Sequence, residues 1–140
     1  MLILDGKKVA LHLESQIKER VQNYKAKAGR APGLAVVMVG DSPASRIYVR
    51  NKEAACERVG IQSTRYDVDK KSNVEELESL LNHLNADRDV HGILVQSPVP
   101  SPFSFDTVLD QLNPMKDADG LTPTNLGLLW AGKTRVKPCT

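Results

Sequence analysis

Residues 33–52 read GLAVVMVGDSPASRIYVRNK, and this stretch decides the fold class. It begins with a continuous apolar run of strand length, which is typical of a strand that a parallel sheet buries on both faces. Ser42 is a favourable helix N-cap, and Pro43 suits the first position of the helix that follows. The stretch therefore predicts a buried strand over 34–39 that leads into a helix over 43–59.

Outward from this segment, helical and strand-like patterns alternate along the chain. Ser72 is followed three residues later by Glu75, so we predict Ser72 as the N-cap of the third helix, in a capping box. The alternation predicts an α/β fold, a three-layer αβα domain with a mostly parallel sheet in which the polar strand lies near an edge. The predicted helices cover 7–28, 43–59, 74–86, 105–112 and 124–130, and the predicted strands cover 34–39, 62–68 and 92–96.

Length and composition indicate one ordinary globular domain. The chain has 140 residues, a hydrophobic share of 41% and a formal net charge of +2, with no block of like charges. This pattern argues against a nucleic-acid partner, and no apolar run approaches the length of a membrane span. The N-terminus lacks the order of a signal peptide, so we expect a cytoplasmic protein with no membrane partner.

The cysteines and histidines are too scattered to indicate a transition-metal site. Cys56 and Cys139 form no CxxC pair, and His12, His83 and His91 lack metal-ligand spacing. We therefore predict no metal, and a reduced Cys56 that packs as a small hydrophobic residue.

Tyr48 and Lys52 are the first candidates for chemistry. They lie four residues apart, so a helix presents both on one face. A phenol and an ammonium placed together can transfer protons. Most such pairs on helices do no chemistry, so this pair indicates a site only if further functional residues lie beside it.

Further candidates follow the predicted strands, because ligands of parallel α/β sheets gather at the carboxyl ends of the strands. Gln96 ends the third predicted strand with an amide that both donates and accepts, and the stiff segment Ser97–Pro100 follows it. The turn Asp117–Gly120 carries two carboxylates, of which either can organise the turn itself. Its spacing does not match a calcium loop.

Three separated stretches resemble the catalytic domain of the bifunctional methylenetetrahydrofolate dehydrogenase/methenyltetrahydrofolate cyclohydrolase family. They are VGDSPASRIYVRNK over 39–52, GILVQSPVP over 92–100 and PMKDADG over 114–120, with Pro-Cys-Thr downstream at 138–140. Their order and spacing agree with the family along essentially the whole chain, which is far more specific than any one motif. Ser97 is a departure, since the family usually has leucine there in a wall of the folate pocket.

The resemblance implies a role for each candidate. Lys52, Tyr48 and Gln96 are the implied catalytic residues, with Lys52 moving protons and Gln96 orienting it. Asp119 would accept two pterin N–H groups side by side, and the Tyr48 ring would stack on the folate. The implied substrate-binding residues are Tyr48, Lys52, Gln96, Ser97, Pro98 and Asp119.

The resemblance also implies a function in one-carbon metabolism with a link to purine biosynthesis. The family interconverts methylene-, methenyl- and formyltetrahydrofolate, binds NADP on a C-terminal Rossmann domain and forms homodimers. Residues 1–140 contain no GxGxxG motif. We therefore predict that they form a folate-binding catalytic domain that lacks the NADP-binding domain, as a part of a longer enzyme. Tyr48, Lys52 and Gln96 should then be more exposed than in an intact enzyme, and apolar surface is expected at 126–130.

Three alternatives come from other classes. A short-chain dehydrogenase also uses Tyr-x-x-x-Lys, but it needs a glycine-rich turn that residues 40–43 do not supply. A receiver-like phosphoacceptor domain with Asp41 would need an acidic pair near its N-terminus, which is absent from the sequence. A non-catalytic folate-binding module stays open, and it predicts folate binding without turnover.

Overall fold

The computed structural model describes residues 5–134 and 136–138. Helices and strands alternate through the first six elements, as predicted, and two shorter helices follow. Cys139 and Thr140 of the Pro-Cys-Thr motif lie outside the described residues. The elements are α1 (Gly6–Ala28), β1 (Gly33–Val39), α2 (Pro43–Val59), β2 (Gln62–Val68), α3 (Val74–Ala86), β3 (Gly92–Gln96), α4 (Phe105–Gln111) and α5 (Pro123–Trp130).

The three strands form one parallel sheet in the order β2-β1-β3. In the register, Val37 of β1 pairs with Tyr66 of β2 on one side and with Val95 of β3 on the other. The continuous apolar strand is therefore central, and the polar strand β2 lies at an edge. The predicted α/β class with a parallel sheet is confirmed, and the carboxyl ends of all three strands meet at one edge of the sheet.

The central strand buries both of its faces, which gives the domain its three layers. Alternate residues of a strand point to opposite faces. Ala35, Val37 and Val39 belong to a large apolar cluster with α3 and α4, whereas Val36 and Met38 pack with residues of α2 and β3. One helical layer is thus α2 and the opposite layer is α3 with α4.

The cap of α3 corrects one prediction. Asn73, and not Ser72, is the N-cap, and its side chain accepts from the Glu76 backbone N–H at 2.8 Å. An asparagine N-cap is as favourable as serine, and Glu76 then stands three residues beyond the cap. Leu77 and Leu81, on the apolar stripe of this helix, are buried as that stripe predicts.

The long helix α1 is mostly exposed. Val21 is its one buried residue within the described chain. A bidentate ion pair between Arg58 of α2 and Glu14, near the middle of α1, connects the two helices, with N–O distances of 2.6 and 3.0 Å. These bonds lower the pKa of the Glu14 carboxyl. None of the predicted site residues lies on α1.

Other sequence predictions concern single residues and surfaces. Cys56 is buried and unpaired, and burial raises the pKa of its thiol. Apolar surface is present on α5, where Trp130 is 96% exposed and Leu126 is also exposed. Among the described residues, no helix is long and apolar enough for a membrane crossing, and no group of three or more acidic, histidine or cysteine side chains is arranged around a possible metal position.

The core around α3 supplies a stability prediction. Leu81 is 0% exposed within the larger apolar cluster. We expect Leu81→Ala to lower the free energy of unfolding by about 2–5 kcal/mol, from lost apolar transfer and a residual cavity. Urea titration followed by circular dichroism measures this. Leu11→Ala is the control, because Leu11 is 69% exposed and should change stability by no more than about 0.5 kcal/mol; equal effects would contradict the assigned core.

Candidate active site

Lys52 and Gln96 both lie in the interface between α2 and the sheet, as the periodicities of the helix and the strand require. Gln96 pairs in register with Met38 of β1 and lies two residues after Leu94, which packs on the α2 side of the sheet. By the two-residue period of a strand, Gln96 also points to that side. Lys52 lies on α2, three residues after the buried Val49, so both side chains belong to the α2–sheet interface.

The Lys52 ammonium donates a hydrogen bond to the Gln96 side chain, with an Nζ–Oε1 distance of 3.2 Å. The other end of that amide is also held, since Gln96 Nε2 donates to the Ser97 carbonyl at 2.8 Å. Rotating the amide by 180° would set its NH₂ against the ammonium and its oxygen against a carbonyl. The amide orientation is thus determined by its neighbours, and Gln96 presents an acceptor to Lys52.

Tyr48 lies one turn before Lys52 on α2 and is 62% exposed. Lys52 and Gln96 are half-buried. The three residues therefore border a surface that is open to solvent, and none of them is fully buried. Four-residue spacing places Tyr48 and Lys52 on one face of the helix, so a planar ligand that contacts the phenol ring would lie beside the ammonium.

Asp119 adds a negative charge beside Lys52. Its side chain is half-buried. Burial raises the pKa of the Asp119 carboxyl above its usual value, the Lys52 charge opposes that shift, and the nearby Asp117 charge adds to it. The structure thus brings a cation, an amide and a carboxylate from three separate chain segments within electrostatic reach.

Asp117 and Asn125 form a buried pair that the sequence analysis did not single out. Asp117 is 3% exposed, and its Oδ2 accepts from the Asn125 side chain at 2.8 Å. Burial by itself would raise the pKa of Asp117, but hydrogen bonds from Asn125, Thr122 and Leu121 outweigh it and bring the pKa below its usual value. The only signal for this pair in the sequence was the Asp-x-Asp-Gly turn. That motif did not show which of its two aspartates organises the turn.

The segment after Gln96 lies against the loop that follows β1. Ser97 and Pro98 are exposed. Pro98 borders a cavity of about 160 Å³ together with Gly40 and Lys70. A larger cavity of about 570 Å³ lies against α1 and contains none of the predicted site residues. The size of a cavity therefore does not locate this site. The site is located by the polar side chains of Lys52, Gln96 and Asp119.

The turn after β1 does not fit a dinucleotide. Gly40 is its one glycine and has a φ of +76°, and a Cβ there would come within 3.1 Å of the Pro100 ring. A pyrophosphate cradle needs several glycines and open backbone N–H groups at a helix start. The Gly40 N–H instead donates to the Val68 carbonyl at 2.8 Å. The residues present at this turn therefore do not provide an NADP site.

Comparison with known proteins gives one consistent family. The family model for the tetrahydrofolate dehydrogenase/cyclohydrolase catalytic domain matches residues 4–119. The chain is 46% identical over 140 residues to the bifunctional protein FolD of Maridesulfovibrio salexigens and 48% identical over 140 residues to that of Bdellovibrio bacteriovorus. It covers 49% of each of these proteins, so it spans about half the length of the curated relatives it matches.

Solved structures show the same likeness in three dimensions. The bifunctional FolD dehydrogenase/cyclohydrolase from Campylobacter jejuni superposes with a TM-score of 0.95 at 42% identity, covering 99% of this chain and 49% of that one. The Trypanosoma brucei dehydrogenase-cyclohydrolase, solved with NADP cofactor and an inhibitor, gives 0.91 at 30% identity, covering 99% and 48%. Both likenesses extend over essentially the whole of this chain.

Proposed function

Because this chain belongs to the tetrahydrofolate dehydrogenase/cyclohydrolase family, we propose that it binds tetrahydrofolate derivatives and supplies the catalytic residues for interconverting their one-carbon forms. The observation that carries the proposal is the hydrogen bond from Lys52 to Gln96 with the Asp119 charge beside it. These residue types suit a planar heterocycle that carries both N–H donors and a reactive cationic carbon.

Binding follows from the chemistry of the folate ring system. Ionised Asp119 accepts two adjacent pterin N–H groups, which are strong, charge-assisted hydrogen bonds. The exposed Tyr48 ring offers an aromatic face for stacking. Ser97 and Pro98 line the approach beside Gln96, and the Ser97 hydroxyl makes this wall more polar than leucine would. Together these contacts place the one-carbon bridge near the Lys52 ammonium.

Proton transfer by Lys52 accounts for the cyclohydrolase step. Addition of water to the cationic methenyl carbon forms a C–O bond and releases one proton, and Lys52 Nζ acts as the general base that takes it up. Ring opening then breaks one C–N bond and moves a proton from the new hydroxyl to the departing nitrogen. Gln96 holds Nζ in place through both events, and its own amide is held by the Ser97 carbonyl.

The dehydrogenase step needs a hydride acceptor. NADP would accept a hydride from the folate bridge, and the turn after β1 does not fit that cofactor, so we derive no hydride step from it. NADP binding on a second domain, homodimer formation, a cytoplasmic location and the link to purine biosynthesis stay predictions from the resemblance.

The decay of methenyltetrahydrofolate absorbance tests the proposal. We expect the 140-residue chain to accelerate this decay above the buffer rate and to bind tetrahydrofolate in calorimetry. Acid–base catalysis alone typically contributes about 100- to 10,000-fold. Binding with decay at the buffer rate would instead support the non-catalytic folate-binding module. Absence of both binding and acceleration would contradict the proposed function.

A further inference from the structure

The turn that carries Asp119 is built around a different carboxylate, that of Asp117. Asp117 Oδ1 accepts from the Gly120 backbone N–H at 2.8 Å, and Oδ2 accepts from the Thr122 backbone N–H at 2.8 Å. Asn125 Nδ2 supplies a further bond to Oδ2 at 2.8 Å. A buried charge is stable only with such donors around it. The backbone after Asp119 therefore folds back so that its N–H groups reach the Asp117 carboxylate.

The same turn is tied to the strand that carries Gln96. The Ile93 backbone N–H donates to the Lys116 carbonyl at 2.6 Å, and the Ala118 N–H donates back to the Ile93 carbonyl at 3.1 Å. These bonds form a parallel bridge between Ile93 and Asp117. Because the segment runs parallel to β3, the two residues after Asp117 advance toward the carboxyl end of the strand, where Gln96 lies.

Asn125 closes the turn from the side of α5. Its Nδ2 donates to the Pro114 carbonyl at 2.9 Å as well as to Asp117, and its side chain is buried. Gly120 completes the turn with a φ of +73°, which only glycine adopts at low cost. Asp119 is thus flanked on both sides by backbone that Asp117 and Asn125 hold.

We propose that Asp117 is a positioning residue that holds the turn so that the Asp119 carboxylate faces Lys52. This inference rests on the proposed function, since it explains how the folate-binding carboxylate is kept in place. Asp117 itself is buried and has its oxygens occupied by protein donors, so it does not contact substrate.

A double-mutant cycle in the ligand-free chain tests the inference without any folate chemistry. Carboxyl ¹³C NMR follows the titration of Asp119 in the wild type, Lys52→Gln, Asp117→Asn and the double variant. In the wild-type background, removing the Lys52 charge should raise the pKa of Asp119, because that charge opposes the upward shift. In the Asp117→Asn background, the same replacement should leave the Asp119 pKa nearly unchanged, since Asp119 no longer faces Lys52.

An equal response of Asp119 to Lys52→Gln in both backgrounds would overturn the positioning role. Asp110→Asn is the matched control, because Asp110 is exposed on α4 and should keep the full response. If Asp117→Asn does not fold, Asn125→Ala replaces it, since this change keeps the bonds from Gly120 and Thr122. It should at least halve the response of Asp119 to Lys52→Gln, and an undiminished response would again overturn the proposal.

Affinity for tetrahydrofolate separates this inference from the proposed function. We expect Asp117→Asn to weaken binding about 10-fold, in line with one misplaced charge-assisted hydrogen bond. If the wild-type chain fails to bind tetrahydrofolate while the Asp119 response collapses in Asp117→Asn, the proposed function is wrong and the positioning role stands. If the wild-type chain binds tetrahydrofolate while the Asp119 response persists in Asp117→Asn, the positioning role is wrong and the proposed function stands.

Discussion

Replacing Lys52 by glutamine is expected to lower the rate of methenyltetrahydrofolate hydrolysis by at least about 100-fold while folate binding stays measurable. Glutamine is one atom shorter than lysine and is still polar, but it neither accepts nor carries a proton. The loss should therefore fall on turnover rather than on affinity. Absorbance decay under saturating substrate gives the rate, and calorimetry gives the dissociation constant.

Lys18→Gln is the matched control for this prediction. Lys18 is an exposed lysine on α1, outside the proposed site, and its replacement removes the same charge from the chain. We expect unchanged turnover in this variant. Retained turnover in Lys52→Gln would exclude Lys52 as the proton-transfer residue, whereas equal losses in both variants would point to net charge and not to position.

Replacing Asp119 by asparagine is expected to weaken tetrahydrofolate binding by about 10- to 150-fold. A carboxylate accepts two adjacent N–H groups, whereas a carboxamide accepts one and turns a donor toward the other. The loss corresponds to about 1.5–3 kcal/mol, the usual contribution of a hydrogen bond to a charged group. Calorimetric titration with tetrahydrofolate measures it, and Asp106→Asn on the exposed surface of α4 is the control.

The dependence of affinity on pH gives a second test of Asp119. Its pKa is raised chiefly by burial, and binding requires the ionised form. Affinity should therefore be full above this raised pKa and fall as the pH drops through it, in the wild type but not in Asp119→Asn. Folding stability depends on pH in the opposite sense. Because the Asp119 pKa is raised in the folded chain, the free energy of unfolding falls as the pH rises from the unfolded-state pKa to this raised value. A pH profile that is the same in both proteins would contradict the assignment.

Local sequence patterns were sufficient for most of the fold. The strand over 34–39 and the helix after Ser42–Pro43 follow from apolar continuity and capping chemistry, which act between near neighbours. The cap of α3 shows where such rules fail. Ser72 and Asn73 are both favourable cap types, each with a glutamate three residues later, so local cap chemistry did not distinguish between them.

The chain sequence by itself determined the α/β class, the parallel sheet and the candidates Tyr48, Lys52, Gln96 and Asp119, because residue type and spacing carry periodicity, capping and motif order. Only the tertiary structure decided how these candidates are arranged. The Lys52–Gln96 hydrogen bond joins residues 44 positions apart, and the role of Asp117 depends on donors that folding brings around a buried charge. Such contacts depend on the packing of whole elements, since no local pattern specifies which distant side chains will meet.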